Sequence, residues 1–396
     1  MAANSQRTLH IKWVNGRLPK SLNEPFELGA RLKAALLDGG CSAVICNTVN
    51  RAQQVYAALK PYFAADELDL FHARYLFVGR DAREKRALGR FGKEADATEV
   101  KGTQLQLSRP HRAVLVATQV IEQSLDLDFD LMVTDLAPVD LVLQRSGRLH
   151  RHARKRPANL AQPVLWICEP EEVTDEVPRF DGGTEVVYNA HILLRSWLAL
   201  RDQQSIDIPG CIEPSIEAAY DDRNCPEAAS DELRKYWVQS GLELVAELRK
   251  MESNASDVIV PSPTYPDNIL EVWNKRLEED QPEIHKSLQA LTRLSGPTVT
   301  VVCLHPDERQ WLKPDEPPSI ETTRELLRRS VSLSHRGLVW NLLLQEVPVA
   351  WQRSALLRHC RLIELDASGC WYNGQYQLVD DRELGITINR LQKESV

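Results

Sequence analysis

The chain has 396 residues, of which 43% are apolar and 26% charged, and a net charge of −8. That length holds two or three domains, each able to bury a core, and the composition is that of an ordinary soluble globular protein. No run of 18 apolar residues occurs, so no membrane span is expected.

The N-terminal segment MAANSQRTLHIKWV lacks a signal-peptide core. Eight cysteines form no CxxC pair, which predicts reduced thiols in a cytoplasm rather than disulfides or zinc ligands. Charge is unevenly spread. Residues 1–170 carry 24 Lys/Arg and 18 Asp/Glu, net +6, whereas residues 171–396 carry 24 and 38, net −14. A basic first part joined to an acidic second part fits a local polyanion site in the first domain, and equally a drift of composition between domains.

In chain order, residues 8–14 alternate as a strand, and residues 27–38 have a helical pattern closed by Gly39-Gly40. Ala43–Cys46 reads as a strand with Asn47-Thr48 at its end, residues 50–59 as a helix stopping before Pro61, and Leu68–His72 as a short strand. A basic helix is predicted over 80–91, then strands at 113–117, 131–134 and 164–168. Strands alternating with helices of about ten residues imply a parallel sheet with helices on both faces, whose ligands sit at the C-terminal strand ends.

From residue 171 the pattern changes. Residues 171–184 read as a loop or linker, 186–198 as a helix with one apolar face, 228–252 as a second long helix, 255–270 as a loop and 270–292 as helix again. A strand is expected at 298–304, a Pro-rich loop at 306–318 and a helix at 321–330. Short strands at 362–365 and 377–379 flank an Asn373-Gly374 turn. The expected division is a first domain over 1–170, a mainly helical linker region over 171–294 and a small α+β domain over 295–396.

Residues 112–152 stand apart. Residues 121–140 hold six acids and no base, and residues 144–156 six bases and no acid, whereas a solvated helix mixes the signs. Arg145, Arg148 and Arg151 are spaced to form a stripe along one helix face. Ala117-Thr118 with Ser124-Leu125-Asp126, followed by Gln144-Arg145-x-Gly147-Arg148-x-x-Arg151, resembles motifs V and VI of superfamily 2 helicases. The wording of the whole stretch resembles the CRISPR-associated helicase-nuclease of type I interference systems. AVICNTVNRAQ and LFHARYLFVGRDAREKRALGRFG are similar to that family's motifs IV and IVa. The stretches IDIPGCIEPSIEAAYDD and LTRLSGPTVTVVCL are similar to its linker and accessory C-terminal domain in the I-E subtype.

The resemblance implies a RecA-like α/β lobe, the second of two. It implies that Arg148 and Arg151 reach the phosphates of ATP, with Arg151 as the finger; such an arginine is worth roughly 10³–10⁵ in rate. Gln144 would orient the same network, Asp126 would accept the ribose hydroxyl, and Gly147 would let its helix approach the sheet. On this reading the basic half of the stretch faces the triphosphate. Thr118 and Gln119, Asn47 and Thr48, and His72, Arg74 and Arg83 would track one strand of DNA through phosphate contacts that position without reading sequence.

Half of the family's pattern is missing. No GxxxxGK[ST] loop is present, and Gly92-Lys93 belongs to a basic helix. Asp66-Glu67-Leu68-Asp69 spells a DExD box without an apolar strand before it, so we read it as coincidence. None of the ten histidines is followed by Asp, so the family's nuclease metal ligands are absent and no metal ligand is assigned. ATP would be shared with a missing first lobe, and Mg²⁺ would be held by ligands outside this chain. The implied function is the C-terminal helicase half of the type I interference protein. It would take part in ATP-dependent translocation on single-stranded DNA during degradation of foreign DNA. Its expected partners are the first-lobe and nuclease part of the same system and the Cascade surveillance complex. A non-catalytic DNA- or Cascade-binding module, or a truncated remnant, is the rival reading. A split gene, a truncated gene and a cloned piece all share this sequence pattern.

Overall fold

The strand Gly40–Ile45 (β2) has no exposed residue: Cys41, Ala43 and Ile45 enter one core while Val44 and the following Cys46 enter another. A strand buried on both faces belongs in the middle of a parallel sheet covered by helices on each side. The computed structural model, which describes residues 6–21, 24–93, 108–122, 125–256, 297–313 and 316–391, has that form. Among the described residues Leu68–Phe71 (β3), Arg112–Ala117 (β4), β2, Leu131–Thr134 (β5), Val164–Cys168 (β6), Arg7–Val14 (β1) and Ser205–Ile208 (β9) lie side by side in that order. All pairs are parallel except the last, where β9 runs antiparallel to β1.

Helices Glu27–Ala35 (α1) and Val49–Leu59 (α2) cover one face of the sheet. Phe77–Phe91 (α3), Val139–Ser146 (α4) and Ala190–Leu200 (α6) cover the other. The register sets Phe71 and Ile45 on either side of Ala117, so β3, β4 and β2 end level with one another. Their continuations, His72, Thr118 and Cys46-Asn47, therefore share one edge of the sheet, as the βα pattern of the sequence implies.

The segment after β6 departs from its predicted outline. Glu172–Thr174 (β7) and Val177–Arg179 (β8) form a hairpin whose turn residues Asp175 and Glu176 both have positive φ, 49° and 66°. With no glycine there, the usual sequence signal for such a turn is missing. The helix expected over 186–198 is two helices, Gly182–Val187 (α5) and α6. Asn189 causes the break, because its side chain caps α6 by accepting from the His191 amide at 2.9 Å. The apolar face of α6 (Leu193, Leu194, Trp197) is buried as its periodicity requires, while Val186 and Val187 are left exposed on α5. Ile212–Tyr220 (α7) and Asp231–Ser256 (α8) follow, and Ala219 and Leu233 join the same core as the sheet. The helix expected over 270–292 and most of the loop before it lie outside the described residues.

In the last part, Val299–Leu304 (β10) pairs antiparallel with Ser330–Leu333 (β11) and parallel with Cys360–Glu364 (β12). Cys370–Tyr372 (β13), Tyr376–Asp381 (β14) and Gly385–Arg390 (β15) form a meander, turning first at Asn373-Gly374. Ile320–Arg328 (α9), Arg336–Leu343 (α10) and Val349–Gln352 (α11) pack around these sheets, and a 3-10 helix, Pro306–Trp311, occupies the Pro-rich loop. Leu76, from the segment leading into α3, is part of this second core and so joins the two parts of the chain.

Candidate functional site

The level strand ends lead into a buried polar network. Asn47 follows β2 and is 2% exposed. Its backbone N–H donates to Asp135 at 3.0 Å, its side-chain amide to the Leu136 carbonyl at 2.7 Å and to Thr184 Oγ1 at 3.0 Å, and its Oδ1 accepts from Arg145 at 3.1 Å. Thr48 caps α2 by accepting from the Arg51 amide at 3.2 Å. Thr118 is buried at the end of β4. Gln119, partly exposed beside it, donates to the Asn47 carbonyl at 3.1 Å and to the Tyr188 hydroxyl at 3.0 Å.

Arg145 is 0% exposed and organises this network. Its Nε donates to Glu122 at 2.7 Å, and its two terminal nitrogens to Asn47, to Thr134 Oγ1 at 2.8 Å, to the Asp135 carbonyl at 3.2 Å and to the Tyr188 hydroxyl at 3.2 Å. A charge with no water around it persists only when paired and hydrogen-bonded in this way.

The expected arginine stripe does not form. Helix α4 ends at Ser146, and the chain turns through His150 at φ +49°, so Arg145 points inward while Arg148 and Arg151 lie on the loop beyond. Gly147 sits on that turn, and a Cβ there would meet the Gln144 carbonyl of its own chain at 2.9 Å, not a sheet atom. The glycine therefore serves the tight exit from α4 rather than helix–sheet approach. Gln144 is exposed on the last turn of α4.

Arg148 is half-buried and donates to the Glu122 carbonyl at 2.9 Å. Arg151, 41% exposed, pairs with Asp126, 47% exposed, at 2.5 Å, and His152 reaches the same carboxylate at 3.0 Å. Partial burial works against ionised Asp126, but Arg151 and His152 outweigh it and hold the carboxyl below its usual range. Arg7, which the sequence did not single out, completes the group: it donates to the carbonyls of Leu149 at 2.6 Å and Ser146 at 2.9 Å, clamping the loop to β1. Burial and the neighbouring Arg151 charge both lower the pKa of Arg7 and of Arg148. Arg151 is thus within electrostatic reach of both Arg7 and Arg148, and Asp126 of Arg148 and Arg151, which leaves an excess of positive charge on this rim.

The expectation that the whole basic half faces a triphosphate is corrected by its internal ion pairs. Asp128 and Asp130, both nearly or fully buried, are neutralised from the basic half and by Arg109. Arg154 meets Asp128 at 2.7 Å, Arg156 contacts both acids, and Arg109 pairs with Asp130 at 2.9 Å. Glu122 takes Arg145, Asp135 takes Arg51 at 2.7 Å, and Asp140 accepts from the Tyr220 hydroxyl at 2.7 Å. All six acids thus have partners, and of the six bases only Arg151 and Lys155 are exposed. The acids at 126, 128 and 130, alternating opposite arginines at 151, 154 and 156, were the sequence signal for this pairing. The DExD look-alike is also accounted for, since Glu67 pairs with Arg112 and Asp69 with Arg86.

His72, Arg74 and Arg83 gather elsewhere, around the turn between β14 and β15. His72 is fully buried and neutral: burial first, then Arg74, pushes its pKa down to about 3, and its Nε2 bonds the Leu384 carbonyl at 3.0 Å. Arg83 stacks over Tyr75 at 3.8 Å and donates to the Arg382 carbonyl at 2.6 Å. The Arg74 carbonyl accepts from Ile386 at 2.8 Å, while its side chain, its pKa lowered by burial to about 10, bonds Asn50 at 2.7 Å. Gln53, Tyr56, Lys60 and Tyr75 complete this clasp by bonding Glu383, Leu384 and Ile386. Gly385 is required there: its φ is +73°, and a Cβ would stand 2.6 Å from the Arg74 carbonyl oxygen. Gln123 and Ser124 lie outside the described residues. A cavity of about 370 Å³ is lined by Gly16, Lys20, Arg51, Asp135, Asp181 and Thr184 among others, and its lining includes neither Arg148 nor Arg151.

A mostly parallel sheet, polar residues at its level strand ends and an arginine loop paired to the segment before β5 fit a RecA-like helicase lobe, here followed by a second α+β part. The C-terminal model of the CRISPR-associated nuclease/helicase Cas3 matches residues 38–154, and the Cas3 C-terminal domain model matches residues 293–386. The chain belongs to the Cas3 family and corresponds to its C-terminal helicase half. The CRISPR-associated endonuclease/helicase Cas3 of Thermus thermophilus is 34% identical over 91% of this chain and 43% of its own length. The Cas3 nuclease/helicase of Streptococcus thermophilus is 29% identical over 92% and 40%. The chain thus spans less than half the length of these relatives.

Among solved structures, a CRISPR-associated protein superposes with a TM-score of 0.83 at 44% identity, covering 98% of this chain and 41% of that one. T. fusca Cas3 with AMPPNP gives 0.76 at 27% identity, covering 98% and 43%. A chain of a pre-nicking CRISPR RNA-guided surveillance complex gives 0.70 at 26% identity, covering 96% and 44%. No helix among the described residues is long and apolar enough to cross a membrane.

Proposed function

We propose that this chain supplies one wall of an ATP site whose phosphate loop and Mg²⁺ ligands come from a first RecA-like lobe. Together the two lobes would move along single-stranded DNA during CRISPR interference. The observation that carries the proposal is the cationic rim in which Arg148 and Arg151 neighbour half-exposed Asp126 and Arg7 neighbours Arg151. Its uncompensated positive charge fits a polyanion, and its one exposed carboxylate fits a sugar hydroxyl acceptor. Bound ATP would supply the phosphoanhydride. Arg148 and Arg151 would hold its phosphates, Asp126 its ribose, and Gln144 and Gly147 would set the course of the loop that carries the two arginines.

The DNA strand would cross the level strand ends at Thr48, Thr118 and Gln119, with Asn47 bracing them from beneath. His72, Arg74 and Arg83 would act on the same path by fixing the accessory domain beside it. The division into a lobe over 1–170, a linker region over 171–294 and an accessory domain over 295–396 belongs to this reading, with α6 to α8 of the linker region closing one face of the lobe. The first-lobe and nuclease part and a Cascade-type surveillance complex would be its partners, the latter supported by the likeness to a chain in such a complex.

The test is complementation. The chain alone is expected to hydrolyse no ATP. A polypeptide carrying the first lobe should restore hydrolysis, and single-stranded DNA should stimulate it. A well-folded mixture that binds DNA yet never hydrolyses ATP would instead support a non-catalytic binding module.

A further inference from the structure

We infer that Tyr188 is a positioning residue through which a nucleic-acid strand at Thr118 and Gln119 acts on the arginine loop 145–151; the inference rests on the reading above. Tyr188 lies at the end of α5, outside the first 170 residues, yet its single hydroxyl is bonded both to the strand-end Gln119 and to the buried arginine, whereas Asn47 meets the same two side chains through separate groups, its carbonyl and its Oδ1. The Tyr188 hydroxyl accepts from Gln119 Nε2 at 3.0 Å and from Arg145 at 3.2 Å. Arg145 then bonds the Glu122 side chain at 2.7 Å, and the Glu122 carbonyl takes Arg148 at 2.9 Å. The path Gln119, Tyr188, Arg145, Glu122, Arg148 is continuous, with Arg145 and Glu122 buried at its centre and the other three partly exposed.

The direction of action follows from donor counting. The Gln119 side-chain amide has two N–H groups, and both are in use, on the Asn47 carbonyl and on Tyr188. A phosphate oxygen that engages this amide must take a donor from one of them. When the Tyr188 bond is taken, its hydroxyl is held by Arg145 alone and reorients about the C–O bond. Arg145 is 0% exposed, so a change at one of its terminal nitrogens is felt by its remaining partners, including Glu122. Such a fully connected polar network in a low-dielectric interior passes a change along rather than absorbing it.

Helix α5 does not depend on the tyrosine hydroxyl for its place. Asp181 caps it by accepting from the Gly183 amide at 2.9 Å and the Thr184 amide at 3.3 Å, and Thr184 Oγ1 takes the Asn47 amide at 3.0 Å. Tyr188→Phe therefore removes the hydroxyl link, leaving only the connection through Asn47, and keeps α5 in position.

The experiment is hydrogen exchange read by mass spectrometry on the full chain, with and without oligo(dT) of about 16 nucleotides. In the unsubstituted chain the oligonucleotide should change exchange at 118–122 and, by about fivefold or more, at 145–151. In Y188F the unfolding midpoint and the effect at 118–122 should persist, while the effect at 145–151 should shrink by about fivefold or more. Full retention of the distal effect in Y188F overturns the inference, as does an unsubstituted chain that binds the oligonucleotide without any change at 145–151. An unsubstituted chain that binds no oligonucleotide overturns the DNA reading itself, and the relay with it.

Discussion

Replacing Arg145 with alanine should be among the most damaging single changes in the lobe. The side chain is 0% exposed and its partner carboxylate, Glu122, is 5% exposed. Truncation leaves that carboxylate buried without a countercharge and removes donors from Asn47, Thr134, Asp135 and Tyr188 at once. Breaking one side of a buried pair costs about 3–5 kcal/mol. That is a large part of the roughly 5–15 kcal/mol that holds a domain folded. Urea titration followed by tryptophan fluorescence measures it directly. The cause is separable, because Arg145→Met combined with Glu122→Leu removes the orphaned charge and should recover part of the loss. A loss below about 1 kcal/mol for Arg145→Ala, the range of solvated surface pairs, would show that the network does not depend on this charge. A double variant no better than Arg145→Met alone would show that the carboxylate is not what destabilises.

Three further outcomes follow from the same geometry. His72 has a folded pKa of about 3 against an ordinary 6.5, so the unfolded chain binds its proton first and stability falls as the pH drops below 6.5. Between about 6.5 and 3 this group alone contributes a slope of up to about 1.4 kcal/mol per pH unit. His72→Gln should flatten the acid limb of a stability–pH curve, and an unchanged limb would contradict the neutral, buried assignment. Gly385→Val should loosen the clasp between lobe and accessory domain, because the left-handed backbone costs about 1–2 kcal/mol with a Cβ and the branch collides with the Arg74 carbonyl. Faster cleavage of the chain in limited proteolysis reads this out, and a rate equal to that of the unsubstituted chain would argue against the clasp. Six of the eight cysteines are buried, and burial pushes the Cys41 thiol up to about 11 and Cys168 to about 12. Alkylation under native conditions should therefore mark Cys211 and Cys225 first, and early labelling of Cys41 or Cys168 would show the sheet to be open.

The sheet was legible because its strands are short, β-branched runs and its helices keep one apolar face, so β5 and β6 fall on the residues predicted for them. What stayed hidden depends on contacts between distant residues. β9 is four residues long and becomes a strand only because β1 offers it an edge. The break at Asn189 depends on a cap that outweighs a helical apolar period. In the site, motif spacing located Asp126, Arg148 and Arg151, which the fold does bring together. It gave Arg145 the same outward direction, because nothing in a helical repeat reveals that α4 ends one residue later. His72, Arg74 and Arg83 lie where the strand order puts them, but their polar atoms meet a turn more than 290 residues further along the chain. Tyr188 carries no motif and emerges only from its two hydrogen bonds.

The central claim is that Arg151 acts on a nucleotide held jointly with another lobe. It is tested most directly by the DNA-stimulated ATPase rate of the complemented mixture with Arg151→Ala, beside Lys155→Ala on the same loop as a control for general charge. An arginine acting on the transferred phosphate should cost roughly 10³-fold or more in kcat, while Lys155→Ala leaves the rate within a small factor of the unsubstituted mixture. Equal and modest losses for both substitutions would contradict the claim and reduce the rim to a general electrostatic surface.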